Sequence, residues 1–166
     1  MLDKTFFTRV GPNTRDRYRR HIFDDAKDVK GKKFKGYSTY GSKWVTMNVK
    51  KSFRQSAPKE GYSYSQAKKG KMFPRQDDKY ANTTAPVLSG DLYKDFGSIM
   101  RISSTGFEFG WAAQGAKIKW LKDMGRVLSA SNQPLPDKVI QYLSKESRLY
   151  INKKLPKGKK TYRIGR

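Results

Sequence analysis

Three stretches of this chain combine cations with aromatic rings. The first is Lys30, Lys32, Lys33, Phe34, Lys35 and Tyr37. The second is Lys68, Lys69, Lys71, Phe73 and Arg75. The third is Lys157, Lys159, Lys160, Tyr162, Arg163 and Arg166. Lysine and arginine contact phosphates, and exposed aromatic rings stack on unpaired bases. The same aromatics also serve as anchors on a neighbouring protein surface. With no recognisable nucleic-acid module, anchoring is the favoured role for the rings, and attraction of DNA or an acidic protein surface is the favoured role for the charge.

Other chemistry finds little support. The single histidine, His21, lies near Asp24, Asp25 and Asp28. A lone imidazole is a weak basis for a metal site without further strong ligands, so these residues read as a solvated acidic turn beside basic neighbours. There is no cysteine, which excludes disulfides, thiol catalysis and cysteine-based metal centres. Neither a Gly-x-Ser-x-Gly elbow nor a Walker-type phosphate loop is present. Gly106-x-x-x-Gly110 falls in an expected strand, away from the helix N-terminus that a phosphate cradle needs. No enzyme activity and no cofactor are expected.

The balance of Lys plus Arg (37) over Asp plus Glu (14) leaves a formal charge of +23 in 166 residues. Solubility needs a net charge of only about 2–8, so a field this large points to polyanionic or acidic partners. Hydrophobic residues make up 36% and aromatics 13%, which suits a small aromatic-bearing core with basic segments attached. No apolar run approaches the roughly 20 residues of a membrane span. The first ten residues lack the pattern of a signal peptide.

Four segments are expected. Residues 1–30 carry an apolar patch at Phe6-Phe7, a turn at Gly11-Pro12-Asn13, and a helix over Arg15–Lys27 capped by Thr14. Residues 31–85 read as a long basic arm. It would hold one short strand at Trp44–Val49, where Val45, Met47 and Val49 alternate with Trp44, Thr46 and Asn48. Gly61–Thr84 shows no period and is expected to be irregular, ordering against other chains. Residues 86–155 form the folded part. A short helix would carry Leu92, Phe96 and Ile99 on one face. A hairpin would follow, with Met100 and Ile102 on one strand and Phe107, Phe109 and Trp111 on the other, joined through Ser104-Thr105-Gly106. A helix over Ala116–Met124 would end at Gly125. The last helix would start at Pro136-Asp137 and present Val139, Ile140, Leu143, Ser147, Tyr150, Ile151 and Leu155. Leu92, Phe96, Phe107, Phe109, Trp111, Leu121, Val139, Ile140, Leu143 and Ile151 are expected to share one core. Residues 156–166 would be an extended basic tail.

The order of these features resembles the virion-morphogenesis, or tail-completion, proteins of tailed bacteriophages. The resemblance covers roughly residues 20–155. It rests on Phe23-Asp24 followed by Gly31, Phe34 and Tyr37-Ser38. It continues in Val87-Leu88-Ser89-Gly90-Asp91-Leu92, in Gly106-Phe107-Glu108-Phe109-Gly110-Trp111, in Gly125, and in a Pro-containing link with a closing helix over Gln133–Leu155. Where the family often has Tyr-Ala and His-Gln-aromatic-Gly, this chain has Ile118-Lys119 and Lys122-Asp123-Met124-Gly125. The resemblance implies an α+β fold with a small mixed or antiparallel sheet flanked by helices. It also implies a homo-oligomeric ring, a hexamer, at the virion neck, assembled in the host cytoplasm. The ring would lie between the head connector and tail-tube proteins, with DNA as a further neighbour in its channel. A basic nucleic-acid-binding structural protein, such as a ribosomal component, is the alternative.

Overall fold

The structure, a computed structural model, describes residues 2–87 and 90–155. It is α+β: helices surround one two-stranded antiparallel sheet.

Helix α1 spans Lys4–Phe23. Asp3 caps it, its Oδ1 accepting the Phe6 amide at 3.1 Å. Phe6, Val10, Thr14, Tyr18 and Ile22 recur every fourth residue, and all are buried. The row runs unbroken through Gly11-Pro12-Asn13, where the sequence suggested a turn and a later helix start. Proline inside a helix costs roughly 3 kcal/mol. Packing offsets that cost here, because Gly11 brings the helix backbone against the hairpin. A Cβ on Gly11 would stand 2.9 Å from Met100 Cε and 3.4 Å from Phe107 Cγ.

The hairpin pairs β1 (Phe96–Ile102) with β2 (Phe107–Trp111), in register Ile102 with Phe107 and Met100 with Phe109. A bulge interrupts the pairing between Phe96 and Ile99. Gly97 sits in it at φ +75° under the Arg15 side chain, a conformation and a clearance that suit glycine. The alternation is as expected, but Phe96 and Ile99 belong to β1. The preceding helix, α5, covers only Asp91–Asp95.

Helix α6 (Gly115–Asp123) is followed by Gly125 at φ +74°. Helix α7 spans Asp137–Lys154 and packs antiparallel along α1. Phe6 meets Tyr150 at 5.2 Å between ring centroids, and Arg17 lies over Tyr142 at 4.1 Å. Arg9 pairs with Glu146 at 3.1 Å, and Asp3 takes hydrogen bonds from Tyr150 and Lys154 at 2.7 Å.

The basic arm does not exist as such. Residues 43–48 are helix α2 (Lys43–Asn48), not a strand. The Ser42 hydroxyl accepts the Val45 amide at 3.4 Å, and Val45 and Val49, four apart, are both buried. Those valines satisfy a period of two and a period of four equally, and the serine cap settles the matter. A short helix α3 (Lys51–Arg54) follows. Gly61–Thr84, expected to lack structure, holds helix α4 (Tyr64–Lys69) and a 3₁₀ turn at Asp78–Tyr80. Ser63 and Gln66 form a reciprocal capping box at the start of α4. Val45, Val49, Tyr62, Ala67 and Phe73 make a second small core, and Tyr80 joins the main one.

The main core is centred on Phe96, whose ring lies 5.5 Å from Tyr18, 6.0 Å from Phe23, 5.6 Å from Phe109 and 5.0 Å from Trp111. Leu92, Phe96, Leu121 and Val139 are buried in it as expected, with Phe109 and Trp111 packed against it. Phe107 stacks on Phe109 at 6.1 Å and also meets Phe7 of α1 at 6.4 Å. Leu143 is only half-buried, and Ile140 and Ile151 are exposed, at 41% and 38%. The reason is the composition of the facing surface. α1 offers α7 Asp3, Arg9 and Arg17, so α7 turns Tyr142, Glu146 and Tyr150 toward it and leaves part of its aliphatic stripe in solvent.

Phe96→Ala should remove the centre of the aromatic cluster and cost about 3–5 kcal/mol, measured by urea unfolding. A loss below about 1 kcal/mol would show that the cluster does not hold the fold together.

Candidate interaction surfaces

The expected partner-facing cations separate into different environments. Lys68 is buried, at 1% exposure. It faces inward from α4, and its ammonium donates to the carbonyls of Thr83 and Ala85, both at 2.9 Å. It also lies 4.5 Å from the centroid of the Tyr37 ring. Lys71 is exposed and paired with Asp78 at 3.1 Å. Lys69 and Arg75 are exposed. Lys157, Lys159, Lys160, Arg163 and Arg166, and with them the expected tail, lie outside the described residues.

Arg126, which the sequence did not single out, shares the Tyr37 ring with Lys68. Its guanidinium stands 4.2 Å from the ring centroid and donates to the Lys35 carbonyl at 2.8 Å. Its Nε has no hydrogen-bond partner among the described residues. Tyr37 donates to the Ala85 carbonyl at 2.7 Å. Two buried cations thus sit on one tyrosine, with no ion pair to either among the described residues. Carbonyl dipoles and the ring face hold them in place of carboxylates. Burial, with Arg126 second, pushes the Lys68 ammonium down to about 8 from 10.5. Burial also raises the Tyr37 and Tyr64 hydroxyls. Together these contacts tie residues 35–37, α4, residues 83–85 and Arg126 to one another.

The residues that carry the family resemblance are architectural. Gly31 turns the chain within the bridge between Lys27 and Lys33. Phe34 and Leu92 are buried in the main core. Gly90 caps α5 at φ +80°. Gly110 lies in β2, and the Trp111 indole donates to the Leu92 carbonyl at 3.2 Å. Gly125 ends α6, and Leu88 and Ser89 lie outside the described residues. His21 is buried, its Nε2 2.8 Å from the Asp28 carbonyl oxygen. Asp24 accepts from Tyr80 at 3.1 Å. Among the described residues no group of three or more His, Asp or Glu side chains could hold a metal ion.

Among the described residues, two surfaces are left without a partner. One is a groove of about 230 Å³ between α4 and α6, lined by Tyr37, Trp44, Tyr64, Pro86, Trp120 and Leu121. Trp44 and Trp120 are 62% and 53% exposed there. The other is the outer face of α7. Helical geometry places Ile140, Ile151 and Leu155 within about 60° of arc, and all three are exposed, Leu155 at 57%. The hairpin adds two outer edges with no strand beside them among the described residues.

None of the described helices is long and apolar enough to cross a membrane. No protein-family model, curated protein or solved structure matches the chain.

The Lys68 site makes stability depend on pH. The folded-state pKa lies below the unfolded one, so between about pH 8 and 10.5 the unfolded chain binds more protons, and this group's contribution rises with pH. Lys68→Met keeps the chain length and removes the charge. Between about pH 7 and about pH 9.5, wild type should gain about 2 kcal/mol of unfolding free energy relative to Lys68→Met. A difference that stays constant over that range would place the ammonium in water.

Proposed function

We propose that this protein is a non-catalytic structural subunit of a homo-oligomeric ring at the neck of a tailed bacteriophage, joining head connector to tail as a tail-completion or tail-terminator protein. The observation that carries the assembly reading is the outer face of α7. An 18-residue helix buries Val139 fully and leaves Ile140, Ile151 and Leu155 exposed along one side. Exposed aliphatic side chains that recur along one helix face support an interaction surface.

The hairpin supports the same reading. An isolated two-stranded sheet is marginal, and its open edges are templates for strand addition from a neighbour. A ring in which each copy covers the α7 face or extends the sheet of the next would satisfy both surfaces at once. Closure of the ring would then set where tube growth stops. The neck location and the hexameric count come from the resemblance of the motif order to virion-morphogenesis proteins. The net charge of +23 suits a ring that meets acidic neighbours or DNA.

Light scattering on nucleic-acid-free protein tests the assembly step. Wild type should form a discrete oligomer, and Ile140→Glu with Ile151→Glu should give a monomer with unchanged circular dichroism. A wild-type chain that stays monomeric at high concentration counts against the ring and favours the ribosomal type of protein. Reconstruction of particles carrying a tagged copy should place it at the head–tail junction, and density elsewhere in the virion would overturn the neck assignment.

A further inference from the structure

The arginines of α1 fall outside all three basic stretches singled out in the sequence, yet they line the polar cleft between α1 and α7. Arg9, Asn13, Arg17 and Arg20 stand at successive steps of four, four and three residues, so they share one helix face. Tyr142 and Glu146 of α7 form the opposite wall, and the cleft encloses about 430 Å³.

The cations in and around this cleft are not equivalent. Glu146 holds Arg9 at 3.1 Å. Asp16, also on the wall, holds Arg15 at 3.0 Å and Arg19 at 3.7 Å. The two carboxylates of the cleft are therefore already engaged. Arg17 and Arg20 make no ion pair among the described residues, and both are exposed. Arg17 lies over the Tyr142 ring, its Cζ 4.1 Å from the centroid. A cation–π contact of this kind restrains the guanidinium while leaving N–H groups for an acceptor, which lowers the ordering entropy of binding.

We propose that this cleft binds phosphate groups of a nucleic-acid backbone, with Arg17 and Arg20 as the direct donors, Asn13 as an auxiliary one, and Tyr142 as the residue that positions Arg17. Planar N–H edges match phosphate oxygens two at a time. An acidic polypeptide would carry the same charge but would also need an apolar anchor point. The cleft's one large ring is already covered by Arg17, whereas phosphates require no such anchor. Recognition is of the backbone and carries no sequence preference. The inference deepens the neck reading by naming the residues that touch DNA. It rests on that reading only for the biological source of the phosphates.

The test is fluorescence anisotropy with labelled duplex DNA over a range of salt. Wild type should bind with affinity falling steeply as salt rises. Arg17→Gln with Arg20→Gln should weaken binding about 100-fold, roughly tenfold for each charge-assisted contact. It should also reduce the slope of log K against log salt by about 2. Lys43→Gln with Lys122→Gln removes the same charge from exposed residues outside the cleft and should cost about threefold or less. Arg20→Gln alone, at an exposed side chain with no ion pair among the described residues, keeps the test valid if the double variant unfolds. Equal losses in the two double variants would overturn the cleft in favour of a general field. No loss in the arginine variant would also overturn it. So would polyglutamate competing as well as unlabelled DNA with the same dependence on Arg17 and Arg20, because that pattern assigns the cleft to acidic protein. Light scattering on the same samples reports ring formation separately, so failure of one reading is not mistaken for failure of the other.

Discussion

A two-stranded sheet cannot hold itself together in water, so this fold depends on what covers its inner face. The cover is the row of buried residues at every fourth position of α1, from Phe6 to Ile22. Phe96 occupies the junction between that row and the hairpin, in contact with rings from α1 and β2. The same need explains two local irregularities. Pro12 stays inside the helix because Gly11 must approach Met100 and Phe107. Gly97 breaks the strand pairing where the Arg15 side chain crosses it.

The charge imbalance shapes the rest. Asp3, Asp16, Asp24, Asp78 and Glu146 pair with six cations among the described residues, so most of the 37 Lys and Arg side chains have no carboxylate of their own. Two of the remainder, Lys68 and Arg126, are taken inside and stabilised on Tyr37. A buried cation held by carbonyls has few alternative positions, since leaving them would strand charge in a low dielectric. The clamp thereby links the α2–α4 unit to residues 83–85 beside the main core with directional contacts.

The two kinds of outward surface differ in physical character. The α7 face and the hairpin edges offer apolar area and unpaired backbone groups, which suit protein neighbours. The α1 arginines offer oriented donors with little apolar area, which suit phosphate. The α1–α7 pair thus presents two borders of different character, one with exposed aliphatic side chains and one cationic. The antiparallel contact between the helices is largely polar for the same reason. Arg9, Arg17, Glu146 and Tyr142 serve the helix interface and the cleft together.

What the sequence determined by itself is what short-range chemistry determines. The hairpin was legible because Phe107, Phe109 and Trp111 alternate beside a Gly-containing turn. Helices α6 and α7 were legible because Gly125, Pro136 and Pro156 punctuate them. The α+β class followed from those elements. Capping chemistry was also present and decisive: the Ser63–Gln66 box and the Ser42 cap start the helices of the segment that composition alone describes as an arm. Tertiary structure decided the rest. Whether α1 passes through Pro12 depended on a hairpin 90 residues away in the chain. Which side of α7 is covered depended on the polar residues α1 presents. Above all, the fate of each cation was not a local property. Lys68 and Lys69 are adjacent in one helix, but only Lys68 meets Tyr37 and the carbonyls of Thr83 and Ala85, and burial of a charge is set by the partners that the folded chain brings to it.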